Sequence, residues 1–263
     1  MDGKVRAVVF SLLVALLSLE VYVLLSARAE ARDAQIVAAQ AEAVVNEPLR
    51  LRRKWGPTQY SWHYEELFIR EFFQDRRGGV FLDVGAYHFS RNSNTYFLEK
   101  NLGWTGIAVD AQEEYREGYL TNRPGTKFFT YFVSDVSGDE ADLFVDDQSR
   151  MRASGNRESA TQDGEVTQVV VPTITLDDLL SREGIGKIDF LTMDIELSEP
   201  AALRGFDIER FKPDLVCIES LPPVADFISE YFSDHGYVRI ELWSRMDAYN
   251  EYYALPGLFD AGT

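Results

Sequence analysis

Five short apolar runs constrain this chain most: residues 80–84, 106–109, 128–133, 188–193 and 215–218, each bounded by turn-forming residues. A continuous apolar run of strand length marks a strand buried on both faces, because neither side meets water. Helical segments lie among these runs. Residues 64–74 place Leu67, Phe68, Phe72 and Phe73 near helical spacing, residues 93–100 lie between the first two runs, and residues 176–181 precede the fourth. The alternation predicts an α/β fold, with a mostly parallel sheet covered on both faces by helices. A chain of 263 residues has room for about 200 residues of such a domain, enough to bury a full core.

Two stretches depart from the alternation. Residues 139–172 contain Asp142-Leu143-Phe144-Val145, a polar stretch with Gly155 and Gly164, and a second apolar run at 166–171. They read as an antiparallel excursion or a mobile loop. Near the end, residues 237–242 and 249–255 predict a closing antiparallel hairpin that turns through Ser244-Arg245-Met246-Asp247.

The N-terminus has a different chemistry. Residues 7–27 read AVVFSLLVALLSLEVYVLLSA, with Glu20 as the one charge. About 20 apolar residues suffice to span a bilayer as a helix, and no polar stripe marks this stretch as one face of a water-soluble helix. It reads as an uncleaved single-pass transmembrane helix. The alternative is a signal peptide, with Lys4 and Arg6 as its basic start and Ala27-Arg28-Ala29 as a cleavage site, although the apolar stretch is longer than such segments usually are. Glu20 costs about 2.5 kcal/mol or more in hydrocarbon unless it is neutral, near an interface, or paired with a partner transmembrane helix. Basic residues flank both ends, so orientation stays open. Residues 28–47, rich in Ala, Glu, Gln and Arg, read as a helical stalk that Pro48 and then Gly56-Pro57 break. The expected organisation is an anchor over 1–27, a stalk and linker over 28–60, and a folded domain over 61–263.

Charge and cysteine content narrow the partners. Forty-three acidic against 26 basic residues give a net charge of −17. Such a surface repels phosphate backbones, which argues against nucleic acid as partner or substrate. The single cysteine, Cys217, rules out an internal disulfide and a Cys-rich zinc site. Its apolar surroundings predict a small buried thiol.

Chemistry is expected at the strand ends, since ligands of open α/β sheets sit beyond the carboxyl ends of the strands. The first strand ends in Asp83-Val84-Gly85-Ala86, where glycine lets backbone approach a ligand closely. The glycines that would close a loop around a pyrophosphate are missing after Gly85, which disfavours a dinucleotide oxidoreductase. The second strand ends in Asp110, about 25 residues beyond Gly85, a spacing that suits a carboxylate accepting from a ribose diol. A solvated strand-end acid is the plainer alternative. Ser134-Asp135, after the third run, can meet an adenine edge or simply form a turn before Gly138.

Several blocks share an order and spacing: Asp83-Val84-Gly85-Ala86, Asn92-Ser93-Asn94-Thr95-Tyr96-Phe97-Leu98-Glu99-Lys100, Gly103-Trp104-Thr105-Gly106-Ile107, Ser134-Asp135, Thr175-Leu176-Asp177-Asp178-Leu179-Leu180, and Ile188 through Asp194-Ile195-Glu196. Together they resemble the FkbM-type methyltransferases over about residues 61–255. The resemblance implies a Rossmann-like class I methyltransferase fold, with a mostly parallel seven-stranded sheet whose C-terminal antiparallel hairpin is typical of such enzymes. It also implies S-adenosylmethionine as donor and O-methylation, often of sugars or natural products. It places cofactor contacts on Asp83, Gly85 and Ala86 of the first block, on Asp110, and on Ser134 and Asp135. The chain departs from the pattern in two places. Asp110-Ala111 stand where Glu-Pro is common, which keeps the carboxylate. Leu197-Ser198 stand where Gly usually follows the Asp-x-Glu block, which alters a turn beside the expected acceptor site.

Methyl transfer from a sulfonium needs alignment and, for a hydroxyl acceptor, a general base. Asp194 and Glu196 end the fourth strand, where alternation points both to one side. Each is a candidate catalytic residue, as base or as holder of the hydroxyl. His88 is a third candidate, with a structural role as the alternative, and Glu219 is a candidate for the acceptor pocket. Asp194, Glu196 and Glu199 include acids of the kind a hard cation takes, but nothing further in the sequence points to a metal. The expected function is a membrane-anchored O-methyltransferase acting on a small or lipid-linked acceptor. Its catalytic domain is expected in the cytosol, where the donor is made. The alternative is a catalytically inactive, methyltransferase-like subunit of a membrane assembly.

Overall fold

The computed structural model describes residues 3–148, 153–160 and 165–259, with side chains from residue 21 onward apart from that of residue 23. Helix α1 spans Gly3–Trp55. The expected break at Pro48 does not occur. A proline inside a helix costs about 3 kcal/mol, and contacts made by the turns that follow offset it. Leu51 is fully buried. Glu71 receives hydrogen bonds from Arg50 (2.9 Å), Lys54 (2.8 Å) and the Trp55 indole (2.7 Å). The chain divides into two units, Met1–Glu47 and Pro48–Thr263, so residues 48–55 belong to the folded domain and not to a linker. Among the described residues no helix is long and apolar enough to cross a membrane. The side chains of the stretch at 7–27 expected to do so lie outside the described ones except at its C-terminal end, from residue 21 onward.

After α1 come α2 (Glu65–Phe73), β1 (Val80–Val84), α3 (Tyr96–Leu102), β2 (Thr105–Asp110), a 3-10 turn (Glu113–Tyr115), α4 (Arg116–Asn122), β3 (Thr126–Thr130) and β4 (Phe132–Val133). Then follow β5 (Glu140–Asp146), β6 (Ala153–Ser154), α5 (Arg157–Ala160), β7 (Val166–Ile174), α6 (Leu176–Arg182) and β8 (Phe190–Met193). The chain ends with α7 (Glu199–Arg204), α8 (Ile208–Phe211), β9 (Leu215–Glu219), α9 (Ala225–Asp234), β10 (Val238–Arg239), α10 (Glu241–Met246) and β11 (Asn250–Ala254).

Seven strands form one sheet in the order β10-β11-β9-β8-β1-β2-β3. β3, β2, β1, β8 and β9 are parallel, while β11 runs antiparallel to β9 and to β10. The closing pair exists, but helix α10 joins its strands where a tight turn was expected, and β11 inserts between β10 and β9. The run expected as one strand over 128–133 is divided. Its first part lies in β3, and after Tyr131 the chain leaves for a second sheet of order β4-β7-β5-β6. There β5 and β7 pair antiparallel from Glu140↔Pro172 to Asp146↔Val166, so residues 139–172 are an antiparallel excursion and not only a loop.

Strand alternation builds a core on each face. Leu82, Val84, Ile107, Val109, Leu191 and Met193 pack with α6 and α9, whereas Phe81, Phe190, Leu215 and Cys217 pack with Leu51, α2 and α3. One residue fixes the register of the three central strands. Asp189 donates its amide to Val80 (2.7 Å) and its carboxylate accepts the Val80 amide (2.8 Å). Its carbonyl accepts from Asp214 and Leu215, and its other carboxylate oxygen pairs with Arg76 at 2.9 Å.

Leu51→Ala is expected to lower unfolding free energy by about 2–5 kcal/mol, the range for emptying a buried leucine site. Urea denaturation of the two proteins checks this, and a change near zero would place Leu51 outside the domain core.

Candidate functional site

The direction of strand order reverses at β1, which has β2 on one side and β8 on the other, and a crevice opens beyond the strand ends at such a point. Here it is a cavity of about 880 Å³. β1, β2, β8 and β9 bring Gly85, Asp110, Asp194 and Glu219 to its wall. The second sheet closes one side with Phe132, Leu143 and Ala153.

Gly85 has φ +80°, and a Cβ there would lie 1.7 Å from the Asp194 carbonyl oxygen. The glycine is therefore required by its own protein neighbour as well as by any ligand. Asp110 is buried, and its two oxygens accept the amides of Tyr87 (2.7 Å) and Gln112 (2.8 Å). A carboxylate offers about four acceptor positions, so each oxygen keeps one for a ligand hydroxyl. Burial pushes Asp110 up to about 6, against those two amides.

Asp83 and Ala86 stand behind the cavity wall. Asp83 is buried, accepts from Thr95 Oγ1 at 2.6 Å, and is pushed up to about 6 by burial. Thr95 also accepts from Arg123 (3.2 Å), and Arg123 pairs with Glu99 and donates to the Phe89 carbonyl. This buried network holds the loop after β1 in place. The Ala86 carbonyl accepts from Tyr119 at 2.9 Å. Ser134 and Asp135 follow β4, and neither belongs to the cavity lining. The Ser134 amide donates to Ile174, and its carbonyl would lie 2.5 Å from a Cβ at Gly205.

Asp194 and Glu196 both line the cavity, but not by strand alternation. β8 ends at Met193, and Glu196 and Leu197 take left-handed φ values of +53° and +72°. Leu197 thus adopts the glycine-like conformation where the sequence pattern expects glycine, at a cost of order 1–3 kcal/mol for such a residue. Ser154 holds this turn through a 2.9 Å bond to the Glu196 carbonyl. Asp194 is exposed to the open cavity, where partial loss of bulk water, then the charges of Asp83 and Asp247, push it up to about 6. His88 is not in the lining. Its Nδ1 accepts the amides of Ser90 and Arg91, and its ring stacks on Phe89 at 4.4 Å.

Sequence reasoning missed several wall residues. Glu65 caps the His63 amide (2.7 Å) from the first turn of α2, and burial followed by the Asp247 charge pushes it up to about 7. The Glu65-Glu66 pair opening an apolar helix was the available signal. Asn94 links Ser61 to Thr192. Trp62, His63, Tyr249 and Asn250 reach the cavity from segments far apart in sequence. Glu199 is fully buried, with Oε1 on the Ile195 amide and Oε2 without a partner. Burial pushes it up to about 7. Among the described residues, no three His, Cys, Asp or Glu side chains gather so as to hold a metal ion.

The sequence matches the methyltransferase FkbM domain over residues 83–239, and the chain belongs to that family. It is a methyltransferase, and its methyl donor is S-adenosylmethionine. The site suits that donor, since Asp110 offers acceptor positions for a ribose diol beside the apolar Ala111, Phe132 and Leu143. No curated protein matches the chain. Solved structures similar to it include a precorrin-6y C5,15-methyltransferase from Geobacter metallireducens GS-15 (11% identity, 70% of this chain and 76% of that one, TM-score 0.40). A TehB-like SAM-dependent methyltransferase from Corynebacterium glutamicum is 14% identical over 83% of this chain and 98% of that one, with a TM-score of 0.40.

The raised carboxyls set a pH trend. Unfolded Asp and Glu titrate near about 3.9 and 4.3, so at mildly acidic pH the folded chain keeps protons that the unfolded chain has lost. Their contribution to stability is fullest below the unfolded values and is lost as pH rises through about 6–7. Asp194 contributes least, because cavity water screens it. The melting temperature is expected to rise by several degrees from pH 8 to pH 5.5. A calorimetric scan series checks this, and a fall over that window would contradict the buried acid cluster.

Proposed function

We propose that this chain is a membrane-anchored O-methyltransferase that modifies a hydroxyl of a sugar, a lipid-linked molecule or another small acceptor. The observation that carries this reading is Asp194, a carboxyl held near neutrality on the cavity wall against the Gly85 turn. S-adenosylmethionine, when bound, supplies a methyl group already activated on a sulfonium. Asp110 holds the ribose, whereas Ser134 and Asp135, outside the cavity lining, have no assigned contact with the donor. Asp83 and Ala86 fix the loop after β1. Asp194 would accept the proton of the acceptor hydroxyl as its oxygen is methylated and the donor's carbon–sulfur bond breaks, and a group raised to about 6 is ionised at neutral pH yet still basic enough to help. Glu196 orients the hydroxyl, and His88 has no part in this step.

Anchoring is supported by the apolar stretch at 7–27 and by the exposure of Val21, Tyr22, Leu24 and Leu25 on α1, since an uncovered apolar patch seeks a membrane or a partner. That partner includes a second transmembrane helix if Glu20 is paired. A donor made in the cytosol places the domain on that side. The second reading, a domain that binds without turnover, draws on the strained Leu197.

Calorimetric titration should show donor binding that Asp110→Ala weakens about 10–100-fold, the loss of a hydrogen bond to a charged group. Asp194→Asn should keep donor binding and lose about 100-fold or more of methyl transfer to hydroxyl acceptors. Transfer at the wild-type rate would remove Asp194 as the base, and donor binding with no transfer to any acceptor would favour the second reading. Membranes carrying the full chain should retain it through an alkaline carbonate wash and release a chain lacking residues 1–27. Release of both would refute the anchor.

A further inference from the structure

Among the described residues lining the cavity there is no lysine or arginine, while Glu65, Asp110, Glu158, Asp194, Glu196 and Glu219 are all in its wall. On the methyltransferase reading above, on which this inference rests, Asp110, Asp194 and Glu196 serve the donor and the reacting hydroxyl. Glu219 is left over. It ends β9, lines the cavity and is only 6% exposed; the Glu196 backbone braces its carboxyl, and one oxygen, Oε2, is buried without a hydrogen-bond partner.

An orphaned buried carboxylate oxygen is costly, and a ligand group that meets it removes the cost. Two kinds of group can do so: a hydroxyl donating to it, or a cation. The surroundings choose between them. Asp194, Glu196 and Glu199 all crowd Glu219 with negative charge and, after burial itself, push its carboxyl up to about 10. A cation relieves that crowding and a neutral hydroxyl does not. The cavity mouth adds aromatic faces: Trp62 is 58% exposed, and the His63 and Tyr249 rings stack at 5.8 Å. Such faces attract cations as well as sugar rings. The same wall repels phosphate, so the phosphate of any lipid-linked acceptor stays outside it.

We propose that the acceptor carries an ammonium group near the hydroxyl to be methylated, as amino sugars and amino alcohols do, and that Glu219 receives it. Seating the ammonium drives the carboxyl proton of Glu219 into solvent.

The test uses the full chain in detergent, loaded with S-adenosylhomocysteine. The methyl glycoside of 2-amino-2-deoxyglucose and methyl glucoside, its neutral counterpart, are titrated calorimetrically in buffers of different ionisation enthalpy. The amino probe is expected to bind at least about tenfold more tightly and to release about one proton. Glu219→Gln should abolish both the preference and the proton release while leaving S-adenosylhomocysteine affinity unchanged. Equal binding of the two probes, a preference that survives Glu219→Gln, or no binding of the amino probe at tens of millimolar would each overturn the proposal. If the variant does not fold, the wild-type preference for the amino probe decides the matter, and equal binding of the two probes overturns the proposal. Failure of the wild-type chain to bind S-adenosylhomocysteine would instead overturn the methyltransferase reading, and this inference with it.

Discussion

The hydrogen bonds of Asp189 govern where everything else in the domain falls. Its backbone and carboxylate grip both polar groups of Val80, and its carbonyl takes the amides that open β9. Three parallel strands therefore start in step. Parallel strands that start together end together, so Gly85, Asp194 and Glu219 arrive at one edge of the sheet. A slip of a single residue would turn the two core faces inside out, putting Leu82 and Val84 where Phe81 and Asp83 belong.

That edge gathers acids at a density water would not tolerate for free. Asp83 and Glu199 are braced by hydrogen bonds within the protein, whereas Asp110, Asp194 and Glu219 reach the cavity. The chemistry divides accordingly. Groups behind the wall hold loops in shape, as Asp83 does through Thr95 and Arg123. Groups on the wall keep acceptor capacity for ligands. A positively charged ligand group is attracted to such a wall and eases the crowding among the acids.

Much of this was legible in the sequence wherever a short-range rule decided the outcome. The runs at 80–84 and 215–218 gave strands because continuous apolarity demands burial on both faces. Asp110 and Gly85, expected at the strand ends where open sheets bind, line the cavity. Rules of local propensity failed where tertiary contacts overrode them. Pro48 reads as a helix breaker, yet burial of Leu51 and the bonds to Glu71 carry α1 through it. The run at 128–133 has no internal break, yet the chain changes sheets at Tyr131, whose amide bonds to the Asp110 carbonyl. Asp194 and Glu196 reach the same cavity through a left-handed turn and not through strand alternation. Trp62, Asn94 and Tyr249 join the wall by long-range folding, which no window of sequence contains.

The absence of a Cβ at Gly85 means that the turn expected to face the donor and the strand end bearing Asp194 touch backbone to backbone. Nothing compressible lies between them. Side-chain contacts tolerate rotamer changes, but a peptide carbonyl packed on an α-carbon does not. The two segments therefore act as one rigid jaw. Whatever displaces the Gly85 turn displaces the strand end bearing Asp194 by the same amount, and the spacing between the two is preserved while the rest of the cavity adapts to a ligand.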